Sequence, residues 1–237
     1  MLRLGNDIVS LKQAGIQNKS RHSRFLDRVF TSSEQSAIAN SSNPDAILWM
    51  MWAAKEAAYK VISKIQPLPI FAHKKFEVIE FTQDIQNFVS ILIKFTNIRF
   101  SGFAQIREDY VHVFLGTDTF SQNDVSINTH RVSAKEKQVW GNREAWSEHF
   151  TQKELESIHH WESACIRHLC KTHLAKLINC DSSQLQIIRP AAKGRSLPPF
   201  LLIAESPCDI DISLSHHESW LAWVISFASD SNLGRQT

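Results

Sequence analysis

Residues 49–60, WMMWAAKEAAYK, decide how this chain is read. Asn43 and Ser42 are candidate caps, Pro44 suits a first helical position and Asp45 suits the positive end of the helix dipole. The pattern predicts a helix over 44–64 with most of its circumference apolar, through Ile47, Leu48, Met51, Trp52, Ala54, Ala58, Tyr59, Val61 and Ile62. Such a helix is buried on several sides. Glu56, Lys60 and Ser63 form a narrow polar stripe, because positions i, i+4 and i+7 share a face. Lys55 falls inside the apolar arc. Two readings stand at this point. Glu56 and Lys60 form a surface ion pair while Lys55 snorkels, or the stripe faces a cleft where Glu56 meets a metal or an acidic proton.

Around this helix the chain offers 237 residues, 43% of them hydrophobic, with seven Trp, which is enough for one large domain or two small ones with a real core. A net charge of +2 implies no broad nucleic-acid footprint. Cys165, Cys170, Cys180 and Cys208 contain no C-x-x-C pair and read as reduced thiols. Arg3, Asn6 and Asp7 interrupt the place where a signal peptide would need an apolar run. No window is long and apolar enough for a membrane span, so a cytoplasmic protein is expected.

Before the helix, LRLGNDIVSL (2–11) reads as a short strand carrying Asp7, and SRHSRFLDRVFTSSEQSAIAN (20–40) as two helical turns divided by a cap at Thr31 or Ser32. After it, LPIFAHKKFEVIEF (68–81) turns into a strand. NFVSILIKFTNIRFSGFAQIREDYVHVFLGT (87–117) suggests three strands, separated near Asn97–Gly102 and Glu108–Asp109. The second half brings a helix at Trp161–Leu177, a strand LQIIRP (185–190), a basic turn AAKGRSLPPF (191–200) and a hairpin in DIDISLSHHESWLAWVISFA (209–228) with HHES at its tip. The expected organisation is α+β in two similar lobes, residues 1–117 and 145–228. Each would be an antiparallel sheet packed by a long helix. Residues 118–144 are read as a linker and 229–237 as a frayed tail.

Several residues could carry chemistry. Asp7 is a turn or cap residue unless Glu56 comes near; two carboxylates with water and phosphate oxygens would suit Mg²⁺. His216 lies beside Ser215 with His217 equally available. Lys193-Gly194-Arg195 is a small basic turn that suits phosphate or simply faces solvent. Arg167 and Lys171, one turn apart, are a phosphate clamp or a wet face. There is no G-x-S-x-G, G-x-x-x-x-G-K or H-E-x-x-H pattern.

Taken in order, GNDIV (5–9), FLDRVFTSSE (25–34) and WAAKEAAYK (52–60) resemble the three motifs of the 4′-phosphopantetheinyl transferase superfamily. In its two-lobed, surfactin-type members the lobe with the coenzyme-binding elements usually comes first. Here the stretches that look like those elements, HFTQKELESIHHWESACIRHL, KGRSLP and SLSHHES, lie at 149–219, so the lobes appear in swapped order. The resemblance implies two lobes related by a pseudo-twofold axis, in a monomer that mimics a dimer. It implies transfer of phosphopantetheine from coenzyme A to a serine of an acyl, polyketide or peptidyl carrier protein, with Mg²⁺ as cofactor and neither nucleic acid nor membrane as partner. Asp7 and Glu56 would hold the metal, and Glu56 and Lys60 would be catalytic. Arg167, Lys193, Arg195, Ser215 and His216 would bind the coenzyme. Three positions depart from the family pattern: Val9 where surfactin-type enzymes place a third acid, Ser196 where a proline follows the basic residue, and His217-Glu218 where a small residue is common. The competing class is a non-catalytic coenzyme- or carrier-binding homologue that serves as a partner-binding subunit.

Overall fold

A computed structural model describes residues 2–13, 15–66, 68–83, 88–117, 119–192 and 194–227. The expected tail at 229–237 and Lys193 lie outside them. The elements in chain order are β1 (Leu4–Ser10), α1 (Ser23–Val29), α2 (Ser32–Ala39), α3 (Pro44–Ile65), β2 (Phe76–Gln83), β3 (Phe88–Phe95), β4 (Ile98–Ile106), β5 (Tyr110–Gly116), β6 (Val125–Arg131), α4 (Ala134–Gly141), α5 (Gln152–Leu155), α6 (Trp161–Ile178), β7 (Leu185–Ile188), β8 (Ala191–Ala192), β9 (Arg195–Ser196), β10 (Phe200–Ile203), β11 (Ser206–Pro207), β12 (Ile210–His217) and β13 (Trp220–Phe227). The class is α+β with antiparallel sheets.

The first sheet has the order β1-β5-β4-β3-β2. Its inner face packs against α3, which starts where its sequence says it should: Pro44 is at the first position and the Asn43 side chain accepts from the Ala46 amide. Apolar residues surround most of α3, so it buries Leu48, Met51, Ala54, Ala58 and Val61 against the sheet and Met50 and Ala57 as well. Gly5 lets the helix come this close, for a Cβ there would lie 2.0 Å from the Ala57 carbonyl oxygen. Every residue of β5 is buried, because the strand is central and covered on both faces. The break between β3 and β4 falls at Thr96–Asn97, so Gly102 lies within β4 and not at its start.

The second sheet has the order β12-β13-β6 and packs on α6. Residues 118–144, expected as a linker, therefore supply one of its strands and the short helix α4. Their mixed composition reflects the half-buried, irregular pattern of β6. The hairpin β12–β13 turns at Glu218–Ser219, with Glu218 at φ 55°, and pairs His216 with Leu221. His216 is thus a strand residue near the turn rather than part of its tip. Smaller ladders, β11-β10-β7 and β8-β9, complete this half. No helix among the described residues is long and apolar enough to cross a membrane.

Lys55 neither snorkels nor lines a cleft. Its ammonium lies in the interior, 2.7 and 2.9 Å from the two Glu34 oxygens, and also donates to the Phe76 and His73 carbonyls. Glu34 closes a capping box with Thr31 and accepts from the Val78 amide at 2.8 Å. The same arrangement occurs again in the second half. Glu154 closes a capping box with Thr151, accepts from the Ile187 amide at 2.9 Å, and pairs with the Lys171 ammonium at 3.1 Å. Phe30 and Phe150, each preceding its cap, lie 5.5 and 5.1 Å beneath the respective ammonium. Lys171 is therefore an interior anchor and not part of a phosphate clamp.

Candidate active site

β1 is an edge strand of the first sheet, yet its outer edge is not bare. Beside it runs β12 from the other sheet, and β12 supplies side chains in place of backbone acceptors. The Leu4 amide donates to Asp211 Oδ2 at 2.6 Å, the Asn6 amide to Ser213 Oγ at 2.9 Å, and the Ser10 amide to His217 Nδ1 at 3.0 Å. All three pairs are 207 residues apart, so the two strands run parallel in one register. The outward carbonyls of β1 are met by α3. Lys64 Nζ donates to the Leu4 and Ile212 carbonyls at 2.6 and 2.7 Å and to Asp211 at 2.7 Å. One helical turn earlier, Lys60 Nζ donates to the Asn6 carbonyl at 2.6 Å and reaches the Leu214 carbonyl at 3.5 Å. It also pairs with Asp7 at 3.0 Å. Lys60 thus takes Asp7 as its partner and not Glu56.

This repeat makes the next turn informative. Alternate residues of an antiparallel strand point their backbone groups the same way. Ile8 therefore turns its carbonyl outward as Leu4 and Asn6 do, toward the turn of α3 that carries Glu56 in place of a lysine. Burial pushes the Glu56 carboxyl up to about 7, the Asp7 charge pushes the same way and Lys60 opposes both. Asp7 and Glu56 thus act on each other's charge in a partly dry place, with Lys60 paired to Asp7 and an outward carbonyl alongside. Magnesium takes one or two carboxylates and completes its shell with water and phosphate oxygens, so this donor set fits it. Among the described residues no group of three or more His, Cys, Asp or Glu side chains forms a fuller metal cage.

The seam opens into a cleft of about 350 Å³. Asp7, Lys60, Arg167, Ser215 and His216, all singled out from the sequence, line it. Glu56 and Arg195 do not: Glu56 is half-buried on α3 one turn before Lys60, and Arg195 is exposed on the two-residue strand β9, while the neighbouring Ser196 reaches the cleft. Arg167 is buried and spends its donors at home, on the Ile187 and Ser163 carbonyls and the Ser163 and Ser157 hydroxyls. Burial and the charge of Arg189 bring its pKa down to about 10. His216 is held below its usual value, mainly by burial and also by Lys60, with Glu162 and Asp7 opposing. Below the cleft Asn6 joins the halves. Its Nδ2 lies 3.1 Å from His112 Nε2, 3.2 Å from Ser215 Oγ and 3.1 Å from the Ala222 carbonyl.

Four residues of this region were not found from sequence. Lys64 extends the Glu56–Lys60 stripe by one more turn, a signal that was present at i+8. Asn6 and Ser213 look like ordinary strand residues. Arg189, a lone cation before Pro190, lines the cleft wall and carries no pattern that marks it.

A cleft between two α+β halves, lined by Asp7, Lys60, Arg167, Arg189 and His216, narrows the class of protein, and comparison with known sequences narrows it further. Residues 3–115 match the family model of the 4′-phosphopantetheinyl transferase superfamily. The resemblance carried by the motifs is thereby shown for the part that builds the first sheet, α3 and Asp7. A holo-[acyl-carrier-protein] synthase of Protochlamydia amoebophila (strain UWE25) is 39% identical over 61 residues, 26% of this chain and 50% of that protein. The chain thus spans about half the length of that curated relative.

Proposed function

We propose that the protein transfers 4′-phosphopantetheine from coenzyme A to a serine hydroxyl of a carrier protein and releases 3′,5′-ADP. The observation that carries this reading is the convergence of Asp7, Lys60 and His216 from three distant elements on one cleft, in a chain whose first half matches the superfamily. Asp7, Glu56 and the Ile8 carbonyl would hold Mg²⁺, which when bound supplies positive charge to the pyrophosphate. The chain's own groups do the rest. His216 and Arg189, with Ser215 and Ser196, hold phosphate oxygens along the cleft wall. Lys60 faces the oxygen that becomes the leaving group. Glu56, directly or through a water, accepts the proton of the attacking serine hydroxyl. The serine oxygen bonds to the β-phosphorus as the bond from that phosphorus to the bridging oxygen breaks. Phosphoryl transfer of this kind depends on positioning and charge more than on covalent help.

The two halves are read as lobes related by an approximate twofold, in swapped order, within a cytoplasmic monomer. The repeated Phe-Thr-x-x-Glu element with its buried lysine, at 30–55 and 150–171, supports that reading. The test is mass spectrometry of a candidate carrier protein after incubation with the enzyme, coenzyme A and Mg²⁺. Addition of one phosphopantetheine is expected. No addition, with coenzyme A still bound, would make the protein a binding subunit instead.

A further inference from the structure

Lys64 and Asp211 stand out from the rest of the seam. All three ammonium donors of Lys64 are engaged at 2.6 to 2.7 Å, and Asp211 accepts from Lys64, the Leu4 amide and Arg3. Both side chains are only 7% exposed, whereas Lys60 is 30% exposed and faces Asp7. Their place in the topology gives this cluster a purpose. β1 and β12 belong to different sheets and share no backbone ladder among the described residues. They are some 207 residues apart, so no short turn sets their register. In such a contact, side chains alone decide which residue stands beside which. Serine would accept an amide at many positions. The charged rung cannot move without leaving a buried ammonium and a buried carboxylate unpaired. A slip of two residues would carry His216 roughly 6.6 Å along the strand, at about 3.3 Å per residue. That is about twice a hydrogen-bond distance, and it would take His216 out of reach of whatever Asp7 and Glu56 hold.

We propose that Lys64 and Asp211 are a positioning pair that fixes the register of β12 along β1 and so holds Ser215 and His216 opposite Asp7 and Glu56. The proposal rests on the reading of the cleft as the coenzyme A site. It assigns no contact with the coenzyme to either residue.

Removing Lys64 alone would strand Asp211, so the decisive variant is Lys64→Met with Asp211→Asn, which removes both charges and keeps an acceptor for the Leu4 amide. The expected result is a KM for coenzyme A raised tenfold or more, with a kcat within threefold of wild type and an unchanged KM for the carrier. Amide hydrogen exchange at Leu4 and Asn6 should accelerate in the same variant. Lys64→Arg, which keeps the charge and its donors, should restore KM to within about threefold. A double variant with wild-type KM, whether or not the two amides exchange faster, overturns the proposal. So does a KM defect with Leu4 and Asn6 protected as before. If the wild type binds coenzyme A without transferring, the Kd for coenzyme A replaces KM and only the transfer reading fails. A wild type that binds no coenzyme A ends both.

Discussion

Lys55 and Glu34 are each fully buried, and together they show what a charge in an apolar arc is for. The pair ties α2, α3 and the start of β2, with Glu34 accepting from the Val78 amide and Lys55 donating to the Phe76 carbonyl. Lys55→Met should therefore lower stability by about 3–5 kcal/mol, because it leaves a buried carboxylate without its cation. Denaturant unfolding measures this, and Lys55→Met with Glu34→Gln should recover most of the loss. The mutated residue is adjacent in sequence to Glu56, yet the effect belongs to folding and not to chemistry. From sequence, Lys55 could be placed in the apolar arc but its partner could not, since Glu34 is 21 residues away on another helix. Two further residues set an opposing pH dependence in the metal-free protein. Glu56 has its pKa raised from 4.5 to about 7, so the native state keeps a proton that the unfolded chain has lost. Its contribution is complete below 4.5 and disappears as pH rises through 7. His112 has its pKa lowered from 6.5 to about 3 by burial, so its contribution is present above 6.5 and disappears as pH falls toward 3. The two partly cancel between 4.5 and 6.5. Stability of Glu56→Gln should rise more steeply with pH across that interval than the wild type does, as thermal melts at stepped pH would record.

Helix α3 and strand β1 are the elements on which the site depends. Their contact is so close that Gly5→Ala must drive them apart, since the added carbon would sit 2.0 Å from the Ala57 oxygen. The expected cost is about 1–3 kcal/mol, with transfer activity reduced as Asp7 and Glu56 separate. A melt together with the carrier assay checks both. Glu56→Gln keeps size and loses charge, so it should nearly abolish transfer while leaving a folded protein by circular dichroism. If the variant retains wild-type activity, Glu56 has no part in the mechanism. The helix was legible almost to the residue, predicted at 44–64 and found at Pro44–Ile65, because cap, proline and apolar period agree. The strands of the first sheet were legible too, apart from the exact break between β3 and β4. What could not be seen is how β12 meets β1. Neither strand carries a period or turn that names the other, and their contacts are made by Asp211, Ser213 and His217 side chains.

At the scale of the whole molecule, both halves line the cleft: β1 and α3 bring Asp7 and Lys60, and β12 brings Ser215 and His216, while Glu56 lies one helical turn from Lys60 outside the lining. His216→Ala should raise the KM for coenzyme A more than it lowers kcat, since it removes binding common to ground and transition states. Steady-state kinetics separates the two, and an unaffected KM would turn attention to His217. The repeat that marks the second half, Phe-Thr-x-x-Glu at 30–34 and 150–154, was visible in the sequence but is spaced far beyond any short period. The role of 125–131 was not visible, because β6 finds its partner β13 roughly 90 to 100 residues later, with Arg131 beside Trp220 and Val125 beside Ser226. The seam also bears on how the protein behaves in a crowded solution. A sheet ends wherever a strand has bare amides and carbonyls, and such an edge recruits strands from other molecules. On one side of the five-stranded sheet the amides of Leu4, Asn6 and Ser10 are already taken by Asp211, Ser213 and His217, and the carbonyls of Leu4 and Asn6 by the two lysines. On the other side β2 is interrupted by a register shift between Val78 and Glu80, which bends the ladder out of line. The arrangement that builds the cleft thereby also covers much of the β1 edge against intermolecular strand addition, and loosening it should expose the protein to aggregation as well as to loss of activity.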